Sequence, residues 1–284
     1  MILKDYCITE IQNDENSEET RNQILDVFER YKDFVNCHDL PMPNIDLQTM
    51  TERKSRYKNG FSNPAGLLWP KDSSNVCTLH TFNGLFTEFE RIAEVIIAHE
   101  LTHAYHWHKF SPLFEIENTT QYLSNYSEFH ASYIQLLNGA NFQSATTEEK
   151  ISLSDKIYAL LTDHFDSIEL SGYLGASKRS LKPNIDFSFG IFGHKGITNG
   201  FQLLFDSLFR SAMNHFSLIY FLEKHCTDDF SALIGATAYT DIFGSDILEY
   251  VELIKSDTIT KDTLLQAKAL ETSIKDKFIS KYGG

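Results

Sequence analysis

The sequence predicts an α+β fold: a small mixed sheet with a long buried helix in the first half of the chain, followed by a mainly helical region. Three observations carry this. Short β-type runs bounded by turn residues occur only before residue 82. After Ala140 the strand signals fade and long 3.6-residue apolar periodicities take over. Between the two lies His99-Glu100-Leu101-Thr102-His103, well inside a stretch with helical patterning. The 284 residues suffice for one large or two modest domains. With no low-complexity linker in view, the composition shift predicts a core over residues 1–145 and a helical region over 146–284 packed on it.

Taken in order, Ser17 to Val35 reads as an amphipathic helix with Ile24, Leu25, Val27, Phe28, Tyr31 and Phe34 on its apolar face, ended by Leu40-Pro41-Met42-Pro43. Ile45 to Leu47, Ala65 to Trp69 and Val76 to Thr81 read as short strands, separated by turns around Asn59-Gly60 and Lys71 to Ser74. Thr87 and Glu90 have capping-box spacing for the helix that runs through the histidine motif, with no Gly or Pro before His108. A further helix is expected from Thr119 to Leu137, stopped by Asn138-Gly139. Helical patterns then occupy Thr146 to Leu161, Gly200 to Lys224, Asp246 to Ile254 and Thr260 to Tyr282. The glycine- and aromatic-rich stretch 167–199 reads as an ordered, irregular loop.

Composition narrows the function. Lys and Arg number 25 against 39 Asp and Glu, a net charge of −14, which disfavours a nucleic acid as partner. The basic run Arg53, Lys54, Arg56 and Lys58 reads as a solvated face, with a contact site for an acidic partner as the alternative. No apolar stretch approaches the roughly 18–20 residues that span a bilayer, and the first five residues lack the basic start of a secretory signal. The four cysteines, Cys7, Cys37, Cys77 and Cys226, show neither close metal-ligand spacing nor a disulfide framework. A cytoplasmic protein is therefore expected, although unconventional secretion would leave none of these marks.

H-E-x-x-H is the feature with chemistry in it. Residues four apart on a helix lie almost one above the other, so both imidazoles can reach one ion. Glu100, beside them, can take a proton from a water that the metal activates. A catalytic Zn²⁺ commonly has three protein ligands and one open position. Glu128 is the best third candidate, because the loop at Ser111-Pro112 lets the next helix return across the metal. Glu115, Glu117, His106 and His130 are the alternatives. His106 shares the face of His99 and His103, but three ligands from one straight helix converge poorly, the first and last being about 10 Å apart. A pocket-rim role suits it better, and His108 points elsewhere. His194, in the loop Gly193-His194-Lys195-Gly196, is a candidate to support the oxyanion, as are Tyr173 and Tyr239. Val76 to His80 is a candidate edge strand for aligning an extended peptide.

The extended pattern with Gly at position 106 and His at 109 is absent, which rejects the metzincin group. Glu128-Phe129-His130-Ala131-Ser132 instead resembles the gluzincin third-ligand helix, Glu-x-x-Ala followed by Asp or Asn; Ser132 departs from it and lacks the carboxylate that would raise ligand basicity. From Gly66 to Leu137 the segment resembles the catalytic region of ImmA/IrrE-type metallopeptidases. It shares a preceding helix, Leu67-Leu68-Trp69, Val76-Cys77-Thr78-Leu79, Glu90-Arg91 leading into Ile97-Ala98-His99-Glu100-Leu101-Thr102-His103, and Glu128. That resemblance implies a zincin-like core and a zinc-dependent metalloendopeptidase acting on a restricted protein substrate of regulatory type. The competing expectations are a zincin-like binding or regulatory protein with little hydrolytic activity, and a secreted effector protease.

Overall fold

The computed structural model describes residues 16–48, 64–70, 76–89, 91–139, 197–225, 238–256 and 258–282. Among these residues it is mainly helical with one three-stranded mixed sheet, an α+β arrangement. The chain divides into two compact units, residues 1–120 with 137–139, and residues 121–136 with 140–284. The boundary expected at residue 145, the helix expected over 146–161, the basic run at 53–58 and the irregular loop up to residue 196 lie outside the described residues.

The first unit begins with α1 (Asn16–Val35), which buries Ile24, Val27, Phe28 and Tyr31. Leu25 is 41% exposed, because one residue's rotation of about 100° carries it off the apolar face. The helix stops well before Pro41. Asn36 takes a left-handed φ of 49°, and the Cys37 N–H donates to the Lys32 carbonyl at 3.0 Å, so an αL cap ends the helix and the proline segment does not.

Three strands follow: β1 (Asn44–Gln48), β2 (Gly66–Leu68) and β3 (Thr78–Phe82). β3 pairs parallel with β1 and antiparallel with β2, placing Asp46 and Gly66 on either side of His80. It is therefore the central strand, and the expected edge-strand role for Val76 to His80 is overturned. The physical reason lies in its burial: Leu79, His80, Thr81 and Phe82 are all buried, as suits a strand hydrogen-bonded on both sides.

A turn at Asn83-Gly84, where Gly84 has φ 85°, starts the short helix α2 (Leu85–Phe89). Thr87 thus lies inside a helix and does not cap the next one, α3 (Arg91–Phe110). Ala93, Ile97, Leu101, Ala104 and Trp107 form the buried stripe of α3 at spacings of three and four. A 3₁₀ turn, Ser111–Leu113, with Pro112 near its start, leads to an extended Phe114 and then α4 (Ile116–Gly139). α4 contributes its ends to the first unit and Gln121–Leu136 to the second.

In the second unit, α5 (Ile197–His225), α6 (Ala238–Phe243), α7 (Asp246–Ile254) and α8 (Lys261–Tyr282) surround an aromatic core. The Phe209 ring lies 5.1 Å from Phe205, 5.0 Å from Tyr250 and 5.4 Å from Phe243. Such offset and edge contacts add to simple area burial. α8 starts at a reciprocal cap, the Thr263 N–H donating to the Thr260 hydroxyl at 3.2 Å and the Thr260 N–H to the Thr263 hydroxyl at 3.4 Å.

Cys77 packs with Ala104 and Trp107 beneath α3, and burial pushes its thiol up to about 12. Unfolding returns it to the ordinary range, so its contribution to stability is complete below pH 9 and is lost as pH rises towards 12. Urea unfolding of wild type should weaken across that alkaline window more steeply than that of Cys77→Ala. Parallel curves for the two proteins would show that Cys77 does not drive the loss.

Candidate metal centre

α3 presents His99 and His103 half-buried on one face while Leu101, Ala104 and Trp107 anchor another. Thr102, inside the motif, is held from two sides. Its hydroxyl accepts from the Tyr31 hydroxyl of α1 at 2.9 Å and donates to the Ala98 carbonyl at 2.8 Å. Trp69, just past β2, donates its indole N–H to the His103 carbonyl at 3.2 Å and stacks on Trp107, with ring centres 5.6 Å apart. The turn carrying His103 is therefore fixed by side chains from the helix before the sheet and from the sheet's end.

The two imidazoles face each other through Nε2, 3.2 Å apart, with ring planes at 79°. Two nitrogens bound tetrahedrally to one zinc at about 2.0–2.1 Å stand about 3.3 Å apart. A single N–H···N hydrogen bond would also fit this distance, provided one ring carries its proton on Nε2 and the other on Nδ1. Two imidazole nitrogens at this spacing fit one zinc ion. Glu128, the third donor expected from the sequence, belongs to the second compact unit, and a carboxylate of its kind would complete the His₂Glu set that suits a catalytic zinc.

Glu100 is only 9% exposed, so it is not the solvated glutamate that an ordinary core helix would carry at this position. Glu128 has a charged neighbour that no sequence pattern indicated: Arg210 Nε of α5 lies 4.0 Å from its carboxylate. The one local signal is weak, Arg210 being the single cation between Phe205 and Met213.

The remaining candidates take other roles. His106 is 4% exposed with its ring against Phe110, so it is a core residue and not part of a pocket rim. His130 Nε2–H donates to the Ile254 carbonyl at 2.8 Å, which commits that nitrogen. Glu115 is exposed and accepts from the Asn118 amide at 3.2 Å. The Ser132 hydroxyl donates to the Asn214 side-chain oxygen at 2.7 Å. Tyr239 packs against His215, and burial raises its hydroxyl to about 12 against a smaller opposing hydrogen bond from Ser211. His194, Tyr173 and the side chain of Glu117 lie outside the described residues.

No family model, curated protein or solved structure matches this chain. The donors themselves therefore carry the assignment. If Glu128 is a ligand, Glu128→Ala should weaken zinc retention by more than the roughly 10–100-fold that loss of an outer partner costs. Competition against a chromophoric chelator measures this. Unchanged affinity would remove Glu128 from the ligand set.

Proposed function

We propose that this chain is a zinc-dependent metalloendopeptidase of zincin type, with His99, His103 and Glu128 as the ligands and Glu100 as the proton-transfer group. The observation that carries the reading is the approach of two imidazoles through Nε2 at 3.2 Å on one helix that also carries the buried Glu100. The resemblance of residues 66–137 to ImmA/IrrE-type metallopeptidases points the same way.

Bound by these three side chains, zinc would supply Lewis acidity towards a scissile carbonyl and an attacking water. The chain's own work is positional. His99 and His103 hold the ion from consecutive turns of α3, and Tyr31 and Trp69 keep those turns in place. A Glu100 carboxylate oxygen accepts the proton of the attacking water and returns it to the leaving amine. Burial of Glu100 keeps bulk water from competing for that transfer. Oxyanion support falls to His194 on the strength of its glycine-flanked loop alone.

Arg210 supports a second reading, a zincin-like binding or regulatory protein with little hydrolytic activity. Its guanidinium can balance the Glu128 carboxylate without a metal. Among the described residues no helix is long and apolar enough to cross a membrane, which leaves the compartment open between the cytoplasmic expectation and a secreted effector.

A peptide-library and proteome cleavage assay with zinc-loaded protein tests the proposal. Wild type should cleave a limited set of bonds, and Glu100→Gln should lose roughly 10²–10⁴-fold in rate while keeping its zinc and fold. Undiminished cleavage by zinc-loaded Glu100→Gln would exclude the proton-transfer role. Absence of cleavage by wild type across the proteome, with zinc bound, would favour the second reading.

A further inference from the structure

We propose that Cys37, Asp39 and His108 form a second metal site, for zinc or a similar borderline divalent transition ion, joining the turn after α1 to the last turn of α3. One ligand atom from each lies within 4.8 Å of the others. Cys37 Sγ is 3.4 Å from Asp39 Oδ1, and His108 Nε2 is 3.5 Å from Asp39 Oδ2.

The backbone presents the first two donors in a fixed way. Beyond the left-handed Asn36, the Cys37 N–H is tied to the Lys32 carbonyl at 3.0 Å and the Leu40 N–H to the Cys37 carbonyl at 3.3 Å. His108 comes from the other side, on a helix whose preceding residue, Trp107, is sealed in the core. The spacings also carry information. A charge-assisted N–H···O bond is typically about 2.7–2.9 Å, so the His108–Asp39 separation is long for one. Nitrogen and oxygen ligands of one tetrahedral zinc, by contrast, stand about 3.4 Å apart. The Cys37 thiol donates to the carboxylate's other oxygen, Oδ1, at 3.4 Å, so Asp39 joins the two remaining donors. Thiolate, imidazole and carboxylate together suit zinc better than magnesium or calcium.

A bound ion would deprotonate the Cys37 thiol, with release of one proton to solvent, and hold the neighbouring carboxylate as a co-ligand. Lys109 is the nearby opposing charge, and its ammonium is turned over the Tyr105 and Phe110 rings at 5.6 and 5.1 Å. His38 is directed to Asp33 at 3.5 Å. The Asp39 side chain is 84% exposed, so water can complete the coordination. The ion would clamp α1 to the end of α3, the helix that carries His99 and His103.

Cobalt titration of the full chain under reductant tests this without depending on the other centre. Thiolate-to-cobalt charge transfer gives near-ultraviolet absorption, and His99, His103 and Glu128 contain no sulfur. Wild type should show the band, zinc should displace it, Cys37→Ser should abolish it, and His103→Ala should leave it unchanged. Asp39→Asn and His108→Ala should each weaken cobalt binding at least about tenfold. A wild-type protein with no band at saturation would overturn the site. So would a band that survives Cys37→Ser, or undiminished affinity in both Asp39→Asn and His108→Ala.

Discussion

The burial of one stripe of α3 sets the orientation of everything proposed for the metal centre. With Ala93, Ile97, Leu101, Ala104 and Trp107 committed to the core, the helical repeat leaves His99 and His103 side by side and half-buried. Rotating α3 to hide the imidazoles would bring Leu101 and Trp107 towards water, at a cost of roughly 1.5–3 kcal/mol for each large side chain. Close packing thus fixes the azimuth of the helix before any ion is considered.

Polar contacts refine what packing begins. The Tyr31 to Thr102 to Ala98 chain ties α1 to the middle of the histidine motif, and Trp69 ties the end of β2 to the backbone of His103. A net hydrogen bond contributes about 0.5–1.5 kcal/mol, small beside the burial, but these bonds are directional where burial is not. They fix the rise and rotation of one turn. A tetrahedral ion tolerates little error in those quantities, since its ligand distances are defined to within about 0.2 Å.

Local periodicity made much of this legible. α1, α7 and α8 were readable because their apolar residues recur at three and four, and the His99–His103 pairing because four residues is a property of any helix. Features set by tertiary pairing were not. β3 is central because β1 and β2 both find it, which the residues Val76 to His80 do not encode. The end of α1 comes from a left-handed Asn36, a signal weaker than the prolines behind it. α6 is too short to show a helical period. Arg210 beside Glu128, and His108 beside Cys37 and Asp39, join residues far apart in the chain, and no spacing rule reaches that far.

The proposition on which the rest turns, one zinc ion among His99, His103 and Glu128, is tested most directly by anomalous diffraction at the zinc edge from crystals of the zinc-loaded protein. A peak is expected within about 2.0–2.2 Å of a nitrogen of each histidine and an oxygen of Glu128. Fully loaded crystals with no anomalous density between His99 and His103 would contradict it.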